Sequence, residues 1–241
     1  MNSIVNGILY IMLLILSFFS CHVNSQSIEK GVSMGSSTRL IFHSNQKRIS
    51  FPVKNETDYP LIFHGLVLTD DKSNYSPEFI ISPEIVEVEP RKTKMVQVIR
   101  VGGNLTDDRE SLFYLKGHFL PASSEGDDKG ISLKVSYVMT MKMFFRPVRY
   151  KSSFDAIDDV AEDLDFKISN SNLIAINNSP YYFTLNTLSS EQLQIEIPKG
   201  HSFIEPYGQV NIPINDDKLK EITWTLINDG GFSTKSFTKK L

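Results

Sequence analysis

Residues 131–147 read ISLKVSYVMTMKMFFRP. In steps of two, Ile131, Leu133, Val135, Tyr137, Met139, Met141, Met143 and Phe145 are all apolar, while Ser132, Lys134, Ser136, Thr140, Lys142 and Arg146 break up the other face. Alternation of this kind predicts a β-strand with one buried face. At ~3.3 Å per residue, positions 131–145 extend on the order of 50 Å, against roughly 17–20 Å for an ordinary strand. The apolar face is longer than one small sandwich covers, so something else has to cover the rest. Arg146-Pro147-Val148 ends the run, because proline cannot donate to a central ladder.

On either side of this strand the chain is a series of short β-type runs. TRLIFHS, RISFPVKN, YPLIFHGLVL, EFIISPEIVEVEP, KMVQVIRVGG and SLFYLKGHFLP precede it, separated by turn residues such as Asn55-Glu56-Thr57-Asp58, Asp70-Asp71-Lys72 and Gly102-Gly103-Asn104. This spacing predicts a seven-stranded sandwich. The acidic stretch SSFDAIDDVAEDLDF follows, readable as a loop or as a short helical turn. A second β-rich set then runs from FKIS through NLIAINN, YYFTLNTL, QLQIEI, QVNIPI and ITWTLIND to STKSFTKKL. The expectation is an all-β protein with a domain boundary near residues 147–150: residues 1–25 a leader, 26–148 a first domain and 149–241 a second. No internal repeat is evident, although both halves suit the same architectural class.

The leader contains the apolar run ILYIMLLILSFF and then CHVNSQS, where Val23 and Ser25 suit cleavage before Gln26. It reads as a secretory signal peptide. No Lys or Arg precedes the apolar run, so the amino terminus alone supplies the positive end. An uncleaved anchor is the alternative, but the run is shorter than the ~20 apolar residues of a spanning helix. A lipoprotein reading of Cys21 is disfavoured by Phe18 and Phe19, which stand where such a cleavage site takes Leu and a small residue. Cys21 is the single cysteine of the 241 residues, so the exported chain has to be held by packing alone. A net charge of -3 without long Lys/Arg runs gives no reason to invoke nucleic acid or an anionic membrane. Partners are expected to be proteins.

Catalytic chemistry finds little support. His43, His64, His118 and His201 are isolated, without metal-ligand spacing, and Gly102-Gly103 lacks a phosphate-loop context. The pairs Asp70-Asp71, Asp107-Asp108, Asp127-Asp128 and Asp216-Asp217 sit beside turn signals, where carboxylates are usually solvated. No catalytic residue, metal site or cofactor is assigned. Sequons at Asn55, Asn74, Asn104 and Asn177 are either N-glycan acceptors or chance occurrences in a chain rich in Asn, Ser and Thr.

At LTDDRESLFYLKGHFLP (105–121) and MKMFFRP (141–147) the sequence resembles the periplasmic chaperones of the chaperone–usher pilus pathway, the PapD-like family. STRLIF, YPLIFHG, FIISPEIVEVEP, NNSPYYFTL and INDGG extend the resemblance, in order, across the chain. It implies two immunoglobulin-like β-sandwich domains in an L-shaped arrangement, no enzymatic activity, and a periplasmic role escorting fimbrial subunits to an outer-membrane usher. It also implies what covers the long strand. Family members lend this strand to a subunit that lacks one, adding backbone hydrogen bonds while alternate side chains enter the subunit's groove. By position the donated residues are Leu133, Val135 and Tyr137, joined by Ile131. The alternatives are that these side chains belong to the protein's own core, or to a self-dimer that caps the strand when no client is present.

The resemblance further implies that Arg39 and Lys142, neither expected in the core, hold the client's C-terminal carboxylate. Alternation puts Lys142 on the face opposite Leu133 and Val135, so a strong twist or a bulge after Tyr137 is the expected way to re-aim it. Glu110 and Asp229 match carboxylates of a family interdomain charge network. Gln97 stands where its arginine is expected, so the network is either weakened or uses Arg100 or Arg109 in that place. Many relatives with a long loop before this strand carry a cysteine pair where Lys116 and Thr140 stand, so no such disulfide forms. The loop PASSEGDDKG is intermediate in length and leans towards the short-loop subgroup that serves rod-like pili. A secreted immunoglobulin-like adhesion or pilus structural protein is the competing function; it would need a donor extension of its own, and SQSIEKGVSMGSS is a poor one.

Overall fold

The computed structural model describes residues 31–122, 135–151, 153–191, 193–215 and 219–241, so the leader reading falls outside the described residues. Among these residues nine strands form the first sandwich: β1 (Val32–Met34), β2 (Arg39–His43), β3 (Arg48–Asn55), β4 (Leu61–Leu68), β5 (Phe79–Ser82), β6 (Ile85–Val88), β7 (Thr93–Arg100), β8 (Ser111–Pro121) and β9 (Tyr137–Arg146). One sheet has the order β1-β3-β7-β5 and the other β2-β9-β8-β4-β6. The run EFIISPEIVEVEP thus divides between the two sheets, as β5 and β6. Between their inner faces lie Phe42, Phe51, Phe63, Phe79, Val98, Leu115, Phe119, Met143 and Phe145, each at most 2% exposed. Edge-to-face contacts order this core, with ring centroids of Phe42 and Phe79 5.0 Å apart and those of Phe79 and Phe113 4.8 Å apart.

After β9 the acidic stretch forms the short helix α1 (Ala156–Val160) and a 3-10 turn, Ala161–Asp163. The second sandwich follows with β10 (Leu164–Ser169), β11 (Asn172–Asn177), β12 (Phe183–Ser190), β13 (Leu193–Gln194), β14 (Phe203–Ile204), β15 (Gln209–Pro213), β16 (Glu221–Leu226) and β17 (Phe237–Lys240). Strands β10-β11-β15 make one sheet and β13-β12-β16-β17 the other, with β14 paired to β12. Its core includes Leu164, Phe183, Leu188, Ile212, Ile222 and Trp224. The indole stacks with Phe237 and packs on Phe166.

The first segment of the chain serves both sheets of the first sandwich. β1 pairs antiparallel with β3, and β2 then pairs parallel with β9 in the opposite sheet. The crossing happens at Gly35, whose φ of 80° suits only glycine and whose Cβ position lies 2.9 Å from the Met141 sulfur. Because β2 begins at Arg39, it covers β9 only from Lys142 to Arg146, whereas β8 pairs with β9 from Tyr137 to Phe145. Among the described residues no strand pairs with the other edge of β9 at positions 137–141.

An internal repeat is present after all. Asn55-Glu56-Thr57-Asp58-Tyr59 and Asn177-Asn178-Ser179-Pro180-Tyr181 occupy equivalent strand ends in the two sandwiches. The Asn55 amide donates to the carbonyls of Tyr59 (2.8 Å) and Val88 (2.9 Å), and its oxygen accepts from the Thr57 N–H and hydroxyl. Asn177 donates to Tyr181 O (2.7 Å) and Glu205 O (3.0 Å) and accepts from the Ser179 N–H and hydroxyl. Both side chains are fully buried, which rules out glycan attachment at these two sequons. Each one welds a turn to a neighbouring loop. Asn177→Ala removes these bonds and leaves buried carbonyls unpaired, with an expected loss of about 2–4 kcal/mol, read as a lower urea midpoint at unchanged slope. Asn74→Ala, an exposed sequon, leaves the midpoint where it was.

Candidate functional site

The ladder between β8 and β9 is continuous from Phe119↔Tyr137 to Ser111↔Phe145, so no bulge re-aims Lys142. The two faces of β9 do different things. Tyr137, Met139, Met141, Met143 and Phe145 pack on the first core, whereas Lys142, Phe144 and Arg146 stand on the face towards the second sandwich. There Phe144 packs on Tyr182 (5.4 Å) and Phe203 (6.2 Å), which stack on each other at 5.0 Å and 9°. Leu68, Leu112 and Tyr114 complete this apolar seam between the domains.

Arg39 and Lys142 are brought together as direct register partners across β2 and β9. Lys142 is half-buried, its Nζ 3.9 Å from the centroid of Phe203. Arg39 is 7% exposed and therefore does sit in buried surroundings, contrary to expectation. Its Nη1 donates to Ile227 O at 3.2 Å, its guanidinium lies 5.6 Å from the Phe144 ring centroid, and its Nε has no partner. Burial, then the Arg39 charge, then Lys72 bring the Lys142 ammonium down to about 8. Burial likewise lowers Arg39, against the opposing pull of Asp229 and Glu110. These two carboxylates act on Arg39 from a distance, and among the described residues neither forms an ion pair with Arg39 or Lys142.

Both are held by Arg146, 1% exposed. Its Nε donates to Glu110 Oε1 at 2.7 Å, and its Nη1 and Nη2 grip Asp229 at 2.6 and 2.8 Å in a forked pair. Nη1 also donates to Lys151 O at 3.1 Å. Glu110 accepts from the Tyr182 N–H at 2.8 Å, and the Glu110 N–H donates to Pro180 O at 2.9 Å. One arginine therefore links the end of β9, the segment before β8 and a turn of the second sandwich. Burial pushes Glu110 up, while the Arg146 charge and the Tyr182 N–H pull it back. The expectation of Arg100 or Arg109 in this place is corrected. Gln97 lies on β7 opposite Ser50 and Ser82, Arg100 donates to Gly103 O, and Arg109 pairs with Asp108. Arg146 was readable only as the residue before Pro147, although its even parity with Lys142 marks the same face.

Of the expected groove-entering residues, Ile131 and Leu133 lie outside the described residues. Val135 is 45% exposed and precedes β9. Tyr137 is half-buried against the first core, where the odd face of the strand enters its own sandwich. Lys116 and Thr140 are direct cross-strand partners on β8 and β9. His64 and His118 are also cross-strand neighbours, with His64 3.1 Å from Glu84, and no group of three metal-ligating side chains is assembled among the described residues.

Comparison with known proteins agrees across the chain. The model of the pili and flagellar-assembly chaperone PapD N-terminal domain matches residues 32–151, and that of the pili assembly chaperone PapD C-terminal domain matches residues 159–238. Chaperone protein CssC of Escherichia coli is 25% identical over 206 residues, covering 83% of this chain and 87% of its own. Chaperone protein SefB of Salmonella enteritidis is 26% identical over 237 residues, covering 90% and 93%. A chain of the solved complex of the Salmonella enterica SafA pilin with the SafB chaperone superposes with a TM-score of 0.75 at 25% identity, over 88% of this chain and 96% of that one. The E. coli chaperone DraB has the same fold, with a TM-score of 0.75 at 24% identity, over 88% and 98%.

Replacing Arg146 with Met strands buried Glu110 and partly buried Asp229 and is expected to cost about 3–5 kcal/mol. Urea denaturation reads this loss, which shrinks at acid pH, where protonation of Glu110, whose carboxyl is already pushed up by burial, relieves part of the unpaired charge. In the intact protein, NMR titration of the Lys142 side chain should place its midpoint near pH 8. Arg39→Ala moves that midpoint upward, because a nearby positive charge no longer opposes the ammonium.

Proposed function

The chain belongs to the PapD-like family of pilus-assembly chaperones, and on that premise we propose that it captures fimbrial subunits in the periplasm by strand donation. The leading part of β9 and the residues before it serve as the missing strand of a subunit. Arg39 and Lys142 hold the subunit's C-terminal carboxylate, and the loaded complex is delivered to an outer-membrane usher. No nucleotide or cofactor takes part.

The observation that carries this reading is the half-open edge of β9. β2 runs parallel to β9 and begins at Arg39. A subunit strand laid along positions 137–141 is collinear with β2, also parallel to β9, and ends where β2 begins. Its terminal carboxylate then meets two cations that make no ion pair among the described residues. Charge-assisted hydrogen bonds of this kind contribute roughly 1.5–3 kcal/mol each. The opposite faces of β9 are consistent with this division. The odd face, continued outward through exposed Val135 towards Leu133 and Ile131, enters the subunit's groove, while the even face supplies Lys142 at the strand's end. SafB was solved bound to the SafA pilin, which fits a pilus subunit as the partner here. Without a client the same edge is open to a second copy of the chain. The competing reading, a structural protein with its own donor extension, is weakened because Val32–Met34 already pairs with β3.

Two substitutions separate capture from folding. Lys142→Met removes a desolvated cation from an aromatic seam and Val135→Asp changes an exposed position, so both keep the melting temperature of the free protein within about 3 °C. Co-purification of subunits from periplasm should fall at least tenfold in each. A Val135→Asp protein that melts far earlier places this residue in the protein's own core and rejects strand donation. Undiminished capture by Lys142→Met rejects the carboxylate anchor.

A further inference from the structure

Beyond the two cations already described, a third belongs to the same row. Arg39 on β2, Lys142 on β9, Tyr114 on β8 and Leu68 on β4 are successive register partners across one sheet. β4 ends at Leu68, and the chain doubles back so that Leu68 bridges Tyr75. Within this turn the Lys72 N–H donates to Thr69 O at 3.0 Å, and the Thr69 N–H donates to Asn74 O at 3.0 Å. Lys72 is thereby held at a φ of 61°, in the left-handed region that side-chain-bearing residues seldom adopt. Its ammonium lies 4.3 Å from the centroid of the Tyr114 ring. With ~4.8 Å between neighbouring strands, the three positive groups fall within about 15 Å of one another along one line.

We propose that Lys72 is a third member of this anion-binding row, and that it selects clients carrying an acidic side chain beside their C-terminal carboxylate. The inference deepens the strand-capture reading and rests on it. A terminal carboxylate brings one negative charge to a row of three positive groups, and Glu110 and Asp229 are already taken by Arg146. A client side chain on the cleft face of the last strand has only to pass over β9 to reach the ring of Tyr114. The acidic neighbours of Lys72 are engaged within their own turn. Asp71 accepts from the Thr69 hydroxyl and the Ser73 N–H, and Asp70 accepts from the Asp71 N–H. The contact with the Tyr114 ring places the ammonium of Lys72 on this row; the Asp70 charge also reaches the rings of Tyr114 and Tyr182, while the charges that bear on Lys142 are those of Arg39 and Lys72.

The test uses the full mature protein and synthetic peptides of alternating apolar residues, read by fluorescence polarisation. One peptide has Ser at its last two positions, two others carry Glu at one or the other, and a fourth ends in an amide. Successive residues of a strand face opposite sides, so one of the two Glu peptides should bind about tenfold tighter than the Ser peptide and the other should not. Lys72→Gln should erase this preference while leaving the affinity for the Ser peptide and the melting temperature unchanged, and Lys72→Glu should invert it. Equal binding of all three carboxylate peptides by the wild type, or equal weakening of all three by Lys72→Gln, overturns the assignment. If the wild type does not distinguish a free carboxylate from an amide, the anchor of Arg39 and Lys142 falls, and the role of Lys72 falls with it.

Discussion

Among the described residues β9 is paired from Tyr137 to Phe145 on one side and only from Lys142 onward on the other. That asymmetry follows from the sheet switch at Gly35, which spends Val32–Met34 on the opposite sheet and starts β2 only at Arg39. An open strand edge is a template for another chain. Here the template has a direction and an end: a strand added to it continues the line of β2 and must stop at Arg39. On the proposed reading, the place where a client strand ends is set by where the protein's own strand begins.

The charges of the cleft depend on a second arrangement. Arg146 takes both carboxylates of the interdomain seam, Glu110 and Asp229, through three donor contacts and adds a fourth to the Lys151 carbonyl. Arg39 and Lys142 are left desolvated and without an ion-pair partner among the described residues, with the Lys142 ammonium brought down to about 8 and Arg39 eased only from a distance by Asp229 and Glu110. Uncompensated buried charge is a cost to the free protein that a bound carboxylate relieves. Arg146 has a second role in the same contacts, because they reach from the end of β9 into the second sandwich. The contacts between the two sandwiches and the pairing of both carboxylates thus depend on one side chain.

Much of this was readable from the chain. Period-two alternation from Tyr137 to Phe145, ended by Pro147, was legible because each odd side chain has the same neighbour, the core, and local pattern records that directly. Lys142 was legible as a cation near a strand end, and its pairing with Arg39 came from family resemblance. The faces were harder. Alternation leaves a strong twist or a bulge as the way to bring Lys142 to the face of Leu133 and Val135, and the continuous ladder excludes the bulge. Arg146 was missed because a residue before proline reads as a terminator, and its partners Glu110 and Asp229 lie 36 and 83 positions away in the chain. The Asn55 and Asn177 repeat was hidden in plain pattern: Asn-x-Ser/Thr reads as a sequon until the burial of the amide is known. The sheet switch at Gly35 left no periodic signal, since three residues are too few to show one.

The most direct test of the half-open edge is backbone hydrogen exchange along β9, measured at a concentration where the free protein is monomeric, and again in its complex with a fimbrial subunit. In the free protein, the outward amides within residues 137–141 should exchange much faster than those of residues 142–146, which β2 covers. On binding they should slow by at least a hundredfold, while the amides of 142–146 change little. Amides at 137–141 that are already slow in the free monomer, or that stay fast in the complex, would contradict the account.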